Sequence, residues 1–297
     1  MRDEDRIISV VNRLAGFFIT KLFGTQEKKL TEFKGVLGSY KIIKTEDNTE
    51  TIWSEYFNEA CHNLSGAYEE TLHNYISGCA IPDLITHAKN FAVLDVGFGV
   101  GVGLRALIDQ LKSINVKESS AFYYSIELDE TLLQWSLKQT LPELKLERKL
   151  IETDHGNLVF YQGIYPNESN DESNSVLHIQ IYVGDGRVTL PMAQDLGLIR
   201  PVNAIFQDAF SPRKNPALWS TEWFQFLKGI STQKVRLSTY SSSITIRKSL
   251  IAAGWAIENA QGFALKRSMT KANLTGVTSS ELLLQLSRSP SLEIKDK

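Results

Sequence analysis

Four glycines at alternating positions carry the sharpest chemical signal in the sequence. In LDVGFGVGVGLRAL, residues 94–107, a strand-like apolar run empties into Gly97, Gly99, Gly101 and Gly103, and a helix-like VGLRALIDQLK follows. Glycines in such a turn reach positive φ and let a ligand approach the backbone, while the helix N-terminus offers free N–H groups. Tight helix–strand packing accounts for one or two of them and poorly for four. The dinucleotide fingerprint GxGxxG fails from Gly97 and from Gly99, because Val102 and Leu104 fill the third positions. A GxGxxA from Gly101 to Ala106 starts too far past the strand for a pyrophosphate turn. A GxGxG loop with an acid just before it, here Asp95, is the pattern of enzymes that bind S-adenosylmethionine, a ligand with no pyrophosphate to cradle.

Three further acids stand at the ends of apolar runs. Glu127 closes AFYYSIEL, where a doubly wound sheet places the carboxylate that takes two ribose hydroxyls. Asp129 and Glu130 just beyond it read as acids favoured by the dipole of the next helix. Asp185, in VGDGR, suits an adenine amino group and equally well an Asp-Gly turn. Asp208 opens DAFSPRKNPALW, with two prolines to stiffen the loop and Arg213 and Lys214 to add positive charge. Ligands of open α/β sheets bind beyond the carboxyl ends of the strands, so these acids converge on the crevice of the glycine loop.

The elements that must position them alternate from about residue 89. FAVLDV, AFYYSIEL, VLHIQIYV, VNAIFQDAF and VRLSTY read as strands. Helical runs lie at 102–112, 129–139, 189–196, 216–229 and 245–254, which implies a parallel sheet with crossover helices. WAIENA and GFALKR, turning at Gln261-Gly262, read as an antiparallel hairpin at the sheet edge. The expected fold is an α/β Rossmann-like doubly wound sheet over residues 81–278, with an inserted lobe near 141–180 that holds the polar loop NESNDESNS (167–175). A separate extension occupies 1–80 and a strand or tail 279–297. Within the extension, Ile7, Ile8, Val10, Val11, Leu14, Phe17 and Phe18 recur at helical spacing, and an amphipathic helix docked on the body is expected. A membrane-surface helix would be richer in Lys and Arg on its polar face.

Composition narrows the class. A chain of 297 residues, 42% hydrophobic and 22% charged, has ample core, and charges interrupt its apolar runs well before a membrane span's length. The first six residues carry three acids, unlike an export signal, and Cys61 and Cys79 form no CxxC pair; a cytoplasmic protein with reduced thiols is expected. The five histidines lack ligand spacing, so no metal is expected. His62 and His73 read as structural, and Trp219 and Trp223 as core in preference to base-stacking platforms. Residues 211–297 hold thirteen Lys/Arg against five Asp/Glu within a net charge of −2, a distribution suited to a polyanion such as nucleic acid or to a solvated basic face.

GFGVGVGL (97–104), IEL (126–128), GDGRVTL (184–190), DAFSPRKNPALW (208–219), YSSSITIRKSLIAAGW (240–255) and GFALKRSM (262–269) together resemble the methyltransferase domain of the bacterial tRNA 5-methylaminomethyl-2-thiouridine biosynthesis proteins, the MnmC family. Weaker similarity in SGAYEETLHNYISG (65–78) extends it to roughly 45–275, and DAFSPRKNPALW is its most specific element. The resemblance implies a class I S-adenosylmethionine-dependent methyltransferase in stand-alone form, without the flavin-dependent oxidase domain that family members often carry. It implies that Glu70, Gly97, Phe98, Gly99, Gly101, Glu127, Asp185 and Asp208 hold S-adenosylmethionine. Asp208 is the implied catalytic carboxylate, acting on the amine of 5-aminomethyluridine at the wobble position of tRNA. Lys214, Lys266 and Arg267, with Lys271, are the expected phosphate contacts to the anticodon loop.

The chain departs from the family pattern at Val100, where Thr is usual, and at Gln207 and Ala209, where Leu and Gly are common. GFALKRSM also lacks one basic residue of the usual GFGRKREM-like run. Two other functions use the same scaffold. An aminopropyltransferase would need an acidic pocket for a cationic polyamine, against which the basic C-terminal region speaks; a non-catalytic S-adenosylmethionine or tRNA-binding module would bind ligand without turnover. Oligomeric state is left open by the sequence.

Overall fold

The structure, a computed structural model, describes residues 31–114, 120–166 and 176–296. The expected N-terminal amphipathic helix and the NESNDESNS loop lie outside the described residues. The chain opens with a small antiparallel sheet of β1 (Glu32–Lys34), β2 (Ser39–Lys44), β3 (Glu50–Ser54) and β4 (Glu59–Ala60), paired in sequence order. Helix α1 (Ala67–Thr71) runs on without a break into a wider π-helical turn at Leu72–Ser77, and α2 (Ile81–His87) follows. The main body then alternates β5 (Asn90–Val96), α3 (Val102–Ser113), β6 (Ser120–Glu127) and α4 (Glu130–Thr140). Next come the hairpin β7 (Glu147–Thr153) and β8 (Gly156–Pro166), β9 (Val176–Val183), α5 (Gly186–Asp195) and β10 (Val202–Gln207). The chain continues through α6 (Thr221–Gly229), β11 (Ser231–Thr239), α7 (Ile244–Ala252), β12 (Ala256–Ala260), β13 (Met269–Asn273) and α8 (Ser280–Ser287).

Nine strands form one sheet in the order β12-β13-β11-β10-β5-β6-β9-β8-β7. The five central strands, β11, β10, β5, β6 and β9, are parallel, and each flank is antiparallel. Strand β5 shows why its sequence is an unbroken apolar run: Ala92, Leu94 and Val96 enter one core, with residues of α5 to α8, while Phe91 and Val93 enter the other, with the π-helical turn and α2 to α4. A strand covered on both faces has no polar side to alternate with. From β5 the chain winds outward to β6 and β9, and then returns to place β10 on the other side of β5. That reversal leaves a crevice beyond the carboxyl ends of β5 and β10, the place where open α/β sheets bind ligands.

Four local expectations are corrected. GFALKR is not the second strand of the final hairpin; Met269–Asn273 is, and GFALKR forms the connection, with Ala264 at φ 49° and Leu265 fully in solvent. The hairpin's second strand is also internal, since β13 pairs with both β11 and β12. The 141–180 lobe is largely sheet, because β8 pairs with β9 along its length and widens the same sheet. Residues after 279 begin with α8 and not a strand, capped by the Ser279 side chain and held through Leu282 and Leu286. The expected 216–229 helix is divided: a 3-10 turn at Pro216–Trp219 ends where Ser220 caps α6 through its bond to the Trp223 N–H.

Candidate cofactor and acceptor site

The glycines of 97–103 do different jobs. Gly97 has φ 107°, and a Cβ there would lie 3.1 Å from the Asp208 carbonyl oxygen, so the first glycine lets the β10 loop close onto the β5 loop. Gly99, at φ 54°, donates its N–H to Glu127 Oε2 at 3.0 Å. Gly97, Phe98 and Gly99 all line the crevice. Gly101 is not among the lining residues; it caps α3 in the left-handed region against Phe98 and Leu141. Gly103 meets no ligand space either, since a Cβ there would fall 2.1 Å from Asp95 Oδ2. The second half of the motif thus serves close helix–strand packing and the first half faces the crevice.

Asp95 lies beneath the loop, buried, with Oδ2 accepting the Tyr123 hydroxyl at 2.6 Å. Burial pushes its carboxyl up to about 7, against the Tyr123 hydrogen bond that lowers it. Glu127 closes β6 with both oxygens bound to backbone N–H groups, Oε2 to Gly99 and Oε1 to Asp129 at 3.0 Å. Burial raises it to about 7, opposed by those two bonds. Asp185 caps α5 through the Arg187 N–H and pairs with the Arg187 guanidinium at 2.7 Å. Arg187 in turn reaches Asp296 at 2.7 Å, and although burial raises the Asp185 carboxyl, its bonds to Arg187 bring it below the ordinary value.

Asp208 directly follows β10, and its loop is pinned from several sides. The Asp208 N–H donates to the Val96 carbonyl and Tyr240 Oη to the Ala209 carbonyl, while Trp219 Nε1 donates to the Phe210 carbonyl. Gln207, one of the departures from the family pattern, donates through Nε2 to the Leu218 carbonyl and accepts Trp223 Nε1. Both tryptophans are therefore core residues that fix the loop. Asp208 itself is half-buried and Oδ1 accepts the Tyr75 hydroxyl. Burial, then the charge of Asp95, drives its carboxyl well above the ordinary range; Glu70 adds to this, and Tyr75 and Lys266 oppose it.

The small sheet covers the crevice. Asp129, fully buried, caps α4 with Oδ1 while Oδ2 accepts the Leu37 N–H and the Tyr40 hydroxyl at 2.9 Å, which ties the N-terminal segment beside Glu127. Phe57, from the turn between β3 and β4, stacks on Phe210 at 4.1 Å, and Glu59 accepts the Ser211 N–H. Cys61 and His62 also line the space, which is open to solvent on one side. His62 bonds Thr51 Oγ1 through Nδ1, and burial lowers its imidazole to about 4, so the lining is neutral there.

Sequence reasoning missed Phe57, Cys61, Phe210, Asn215, Leu218 and Tyr75. Phe210, Asn215 and Leu218 lie within DAFSPRKNPALW and Tyr75 within SGAYEETLHNYISG, but nothing local in those runs shows what each side chain meets in the fold, and Tyr75 meets Asp208 across 133 positions of sequence. Glu70 does not line the crevice; it is buried, with Oε2 on the Asn63 N–H and Oε1 on Lys266 Nζ at 2.9 Å. Lys266 also stands 4.8 Å over the Tyr240 ring, so it ties the 261–268 connection to α1. Lys214 and Arg267 are exposed, while Lys271 faces Ser238 and Glu258 within the sheet. Among the described residues no group of three His, Cys, Asp or Glu is placed to hold a metal ion, and no helix is long and apolar enough to cross a membrane.

The donor set fits S-adenosylmethionine. Glu127, Asp185 and Asp208 line a crevice whose only cation, among the described residues, is Arg187, itself paired with Asp185. Carboxylates suit ribose hydroxyls and a sulfonium and repel phosphate, while Ile126, Leu128, Leu218 and Phe57 supply apolar walls for an adenine.

Residues 157–275 match a family described as S-adenosyl-L-methionine-dependent methyltransferase. An uncharacterized protein of Methanocaldococcus jannaschii is 27% identical over 84% of this chain and 64% of its own length. The tRNA 5-methylaminomethyl-2-thiouridine biosynthesis bifunctional protein MnmC of Leptospira interrogans is 28% identical over 76% of this chain and 34% of its own length. The chain thus spans about a third of the length of that MnmC protein. The crystal structure of MnmC2 from Aquifex aeolicus superposes with a TM-score of 0.67 at 21% identity, covering 96% of this chain and 92% of that one, and so shares the fold. The chain is thus similar to S-adenosyl-L-methionine-dependent methyltransferases over residues 157–275, and to part of MnmC over about three quarters of its own length.

Proposed function

We propose that this chain is an S-adenosylmethionine-dependent methyltransferase and that it methylates the 5-aminomethyl nitrogen of a wobble uridine in tRNA. The observation that carries the reading is Asp208, a carboxylate at the crevice between β5 and β10, bound on one oxygen and accepting no hydrogen bond on the other among the described residues. The MnmC relatives, whose name specifies a methylaminomethyl uridine product, support the choice of acceptor. In this reading Gly97, Phe98 and Gly99 face the cofactor, Glu127 takes its ribose hydroxyls and Asp185 its adenine. When bound, S-adenosylmethionine supplies an electrophilic methyl group and departs as a neutral thioether.

The residues of the chain must then deliver a neutral amine. A primary alkyl amine, with a pKa near ~10 like that of lysine, is mostly protonated at neutral pH and has no lone pair to offer. Asp208 receives a hydrogen of this amine at its unpaired oxygen and holds the nitrogen in line for attack. Because burial and Asp95 raise the Asp208 carboxyl, it is a stronger base than a solvated carboxylate and can take the proton. Phe57, from the β3–β4 turn, stacks on Phe210 and forms an apolar wall of the crevice. The wobble base lies in a single-stranded loop and reaches such a pocket without breaking a duplex. Lys214 and Arg267, exposed beside the crevice's rim elements, serve the backbone phosphates, and tRNA as substrate places the protein in the cytoplasm.

The test is incubation of the protein and S-adenosylmethionine with tRNA bearing 5-aminomethyluridine, followed by nucleoside mass spectrometry. A mass gain of one methyl group on that nucleoside supports the reading. No gain, with S-adenosylmethionine demonstrably bound, removes this acceptor.

A further inference from the structure

We propose that Tyr75 is the positioning residue for Asp208: its hydroxyl fastens one carboxylate oxygen and leaves the other as the acceptor for the substrate amine. The inference rests on the reading of Asp208 as the carboxylate that receives the amine, and it assigns that carboxylate's orientation to a residue outside the alternating sheet.

Three observations carry it. Tyr75 Oη donates to Asp208 Oδ1, and the tyrosine is 2% exposed, with its ring against Phe206 of β10 at 5.5 Å between centroids. A side chain so enclosed has no rotamer freedom to lose when it holds its partner. Tyr75 also stands on the π-helical turn Leu72–Ser77, and such turns are rare and recur at functional sites, because the extra residue redirects the side chains that follow. The helix that leads into the turn and the turn itself are each held by a side chain from elsewhere in the fold. Asp47 accepts the Tyr68 and Glu69 N–H groups at the start of α1, and Ser238 Oγ donates to the Asn74 carbonyl beside Tyr75.

The pairing also selects a protonation state. Burial, followed by the charge of Asp208, drives the Tyr75 phenol well above its ordinary value, so it stays a donor. Asp208 is faced by Tyr75 and Glu70 from the first helical segment, by Asp95 from β5 and by Lys266 from the β12–β13 connection. Cys61, Tyr123 and Tyr240 also feel its charge. Burial, Asp95 and Glu70 raise the carboxyl, while Tyr75 and Lys266 favour the ionised form. Removing the Tyr75 hydroxyl therefore moves Asp208 ionisation to higher pH.

The experiment follows Asp208 by carboxyl carbon NMR in protein labelled at aspartate, with Asp208→Asn identifying the signal, in wild type and Tyr75→Phe. The phenyl ring is kept, so the Phe206 contact survives, and unchanged S-adenosylmethionine affinity verifies the fold. The Asp208 midpoint is expected to rise in Tyr75→Phe, and 3-fluorotyrosine at position 75, a stronger donor of nearly the same shape, to move it down. On aminomethyluridine tRNA, kcat is expected to fall about 10- to 100-fold with the S-adenosylmethionine KM within about twofold, the cost of a misplaced catalytic group. The acid limb of kcat moves to higher pH with the midpoint. An unmoved midpoint with kcat within about twofold of wild type overturns the proposal. A moved midpoint in a wild-type protein that methylates no aminomethyluridine removes the acceptor reading and leaves the Tyr75–Asp208 coupling established.

Discussion

Replacing Glu127 by Gln separates its two tasks, ordering the glycine loop and receiving the cofactor's ribose. Its carboxylate accepts the Gly99 and Asp129 N–H groups at 3.0 Å, and a carboxamide can accept only one of them. Its NH2 group turns toward a donor at the other. A hydrogen bond to a charged group is worth about 1.5–3 kcal/mol, so S-adenosylmethionine affinity is expected to weaken roughly 10- to 100-fold. Stability moves little, because the lost bonds are offset by removal of a buried charge. Burial raises the folded carboxyl from its ordinary 4.5 to about 7, an unfavourable term of about 3 kcal/mol once ionised. The sign is that of an acid raised by folding: its contribution to stability is complete below 4.5 and is lost as pH rises through about 7. Ribose hydroxyls need the ionised acceptor, so wild-type affinity should increase about tenfold from about pH 6 to about pH 8, and the Gln variant should lose that increase. Isothermal titration across that range with urea unfolding in parallel measures both. A variant that binds within about twofold of wild type, or that keeps the wild-type pH dependence, refutes the assignment.

Gly103→Ala, a change that in an exposed helix gains about 1 kcal/mol, should instead cost about 1–3 kcal/mol in urea unfolding, because the new Cβ would fall 2.1 Å from Asp95 Oδ2. Asp95→Asn should flatten the pH dependence of stability: wild type loses up to about 4 kcal/mol as pH rises from 3.8 through about 7, and the amide cannot ionise. Urea midpoints at several pH values across that window would show whether the slope falls by the share of Asp95 and leaves that of Glu127, an unchanged slope refuting the assignment. For tRNA binding, Lys214→Ala and Arg267→Ala should each lower the slope of log affinity against log salt by about 0.7–0.9, whereas a residue merely on the solvated surface leaves it unchanged.

The parallel sheet was legible because FAVLDV, buried on both faces, stands out as a run with no alternation, and VLHIQIYV shows the period-two alternation of a strand with one buried face. The helix start capped by Asp129 was legible, whereas the one capped by Ser220 was hidden inside the expected 216–229 helix, because the 3-10 turn before it reads as helical. GFALKR misled because its residues alternate like a strand, while the pairing of β13 with both β11 and β12 is a long-range choice that no local pattern records. In the site, Gly97, Glu127, Asp185 and Asp208 were legible as strand-end residues, since a doubly wound sheet delivers all strand ends to one crevice. Gly101 and Gly103 looked alike in sequence and differ in role, because only the path of α3 decides which glycines face Asp95 and Phe98. Phe57 and Tyr75 come from a hairpin turn and a helical turn outside the alternating sheet, and their value appears only when the N-terminal segment folds over the crevice.

The central claim is that Asp208 serves the acceptor amine and not the cofactor's binding. Its most direct test is single-turnover methyl transfer from labelled S-adenosylmethionine to 5-aminomethyluridine tRNA by wild type and Asp208→Asn, with cofactor affinity measured on the same preparations. The rate is expected to be at least about 100-fold lower in the variant, the cost of losing a positioned catalytic base, with cofactor affinity within about threefold of wild type. Equal rates, or a rate loss matched by an equal loss of cofactor affinity, would contradict it.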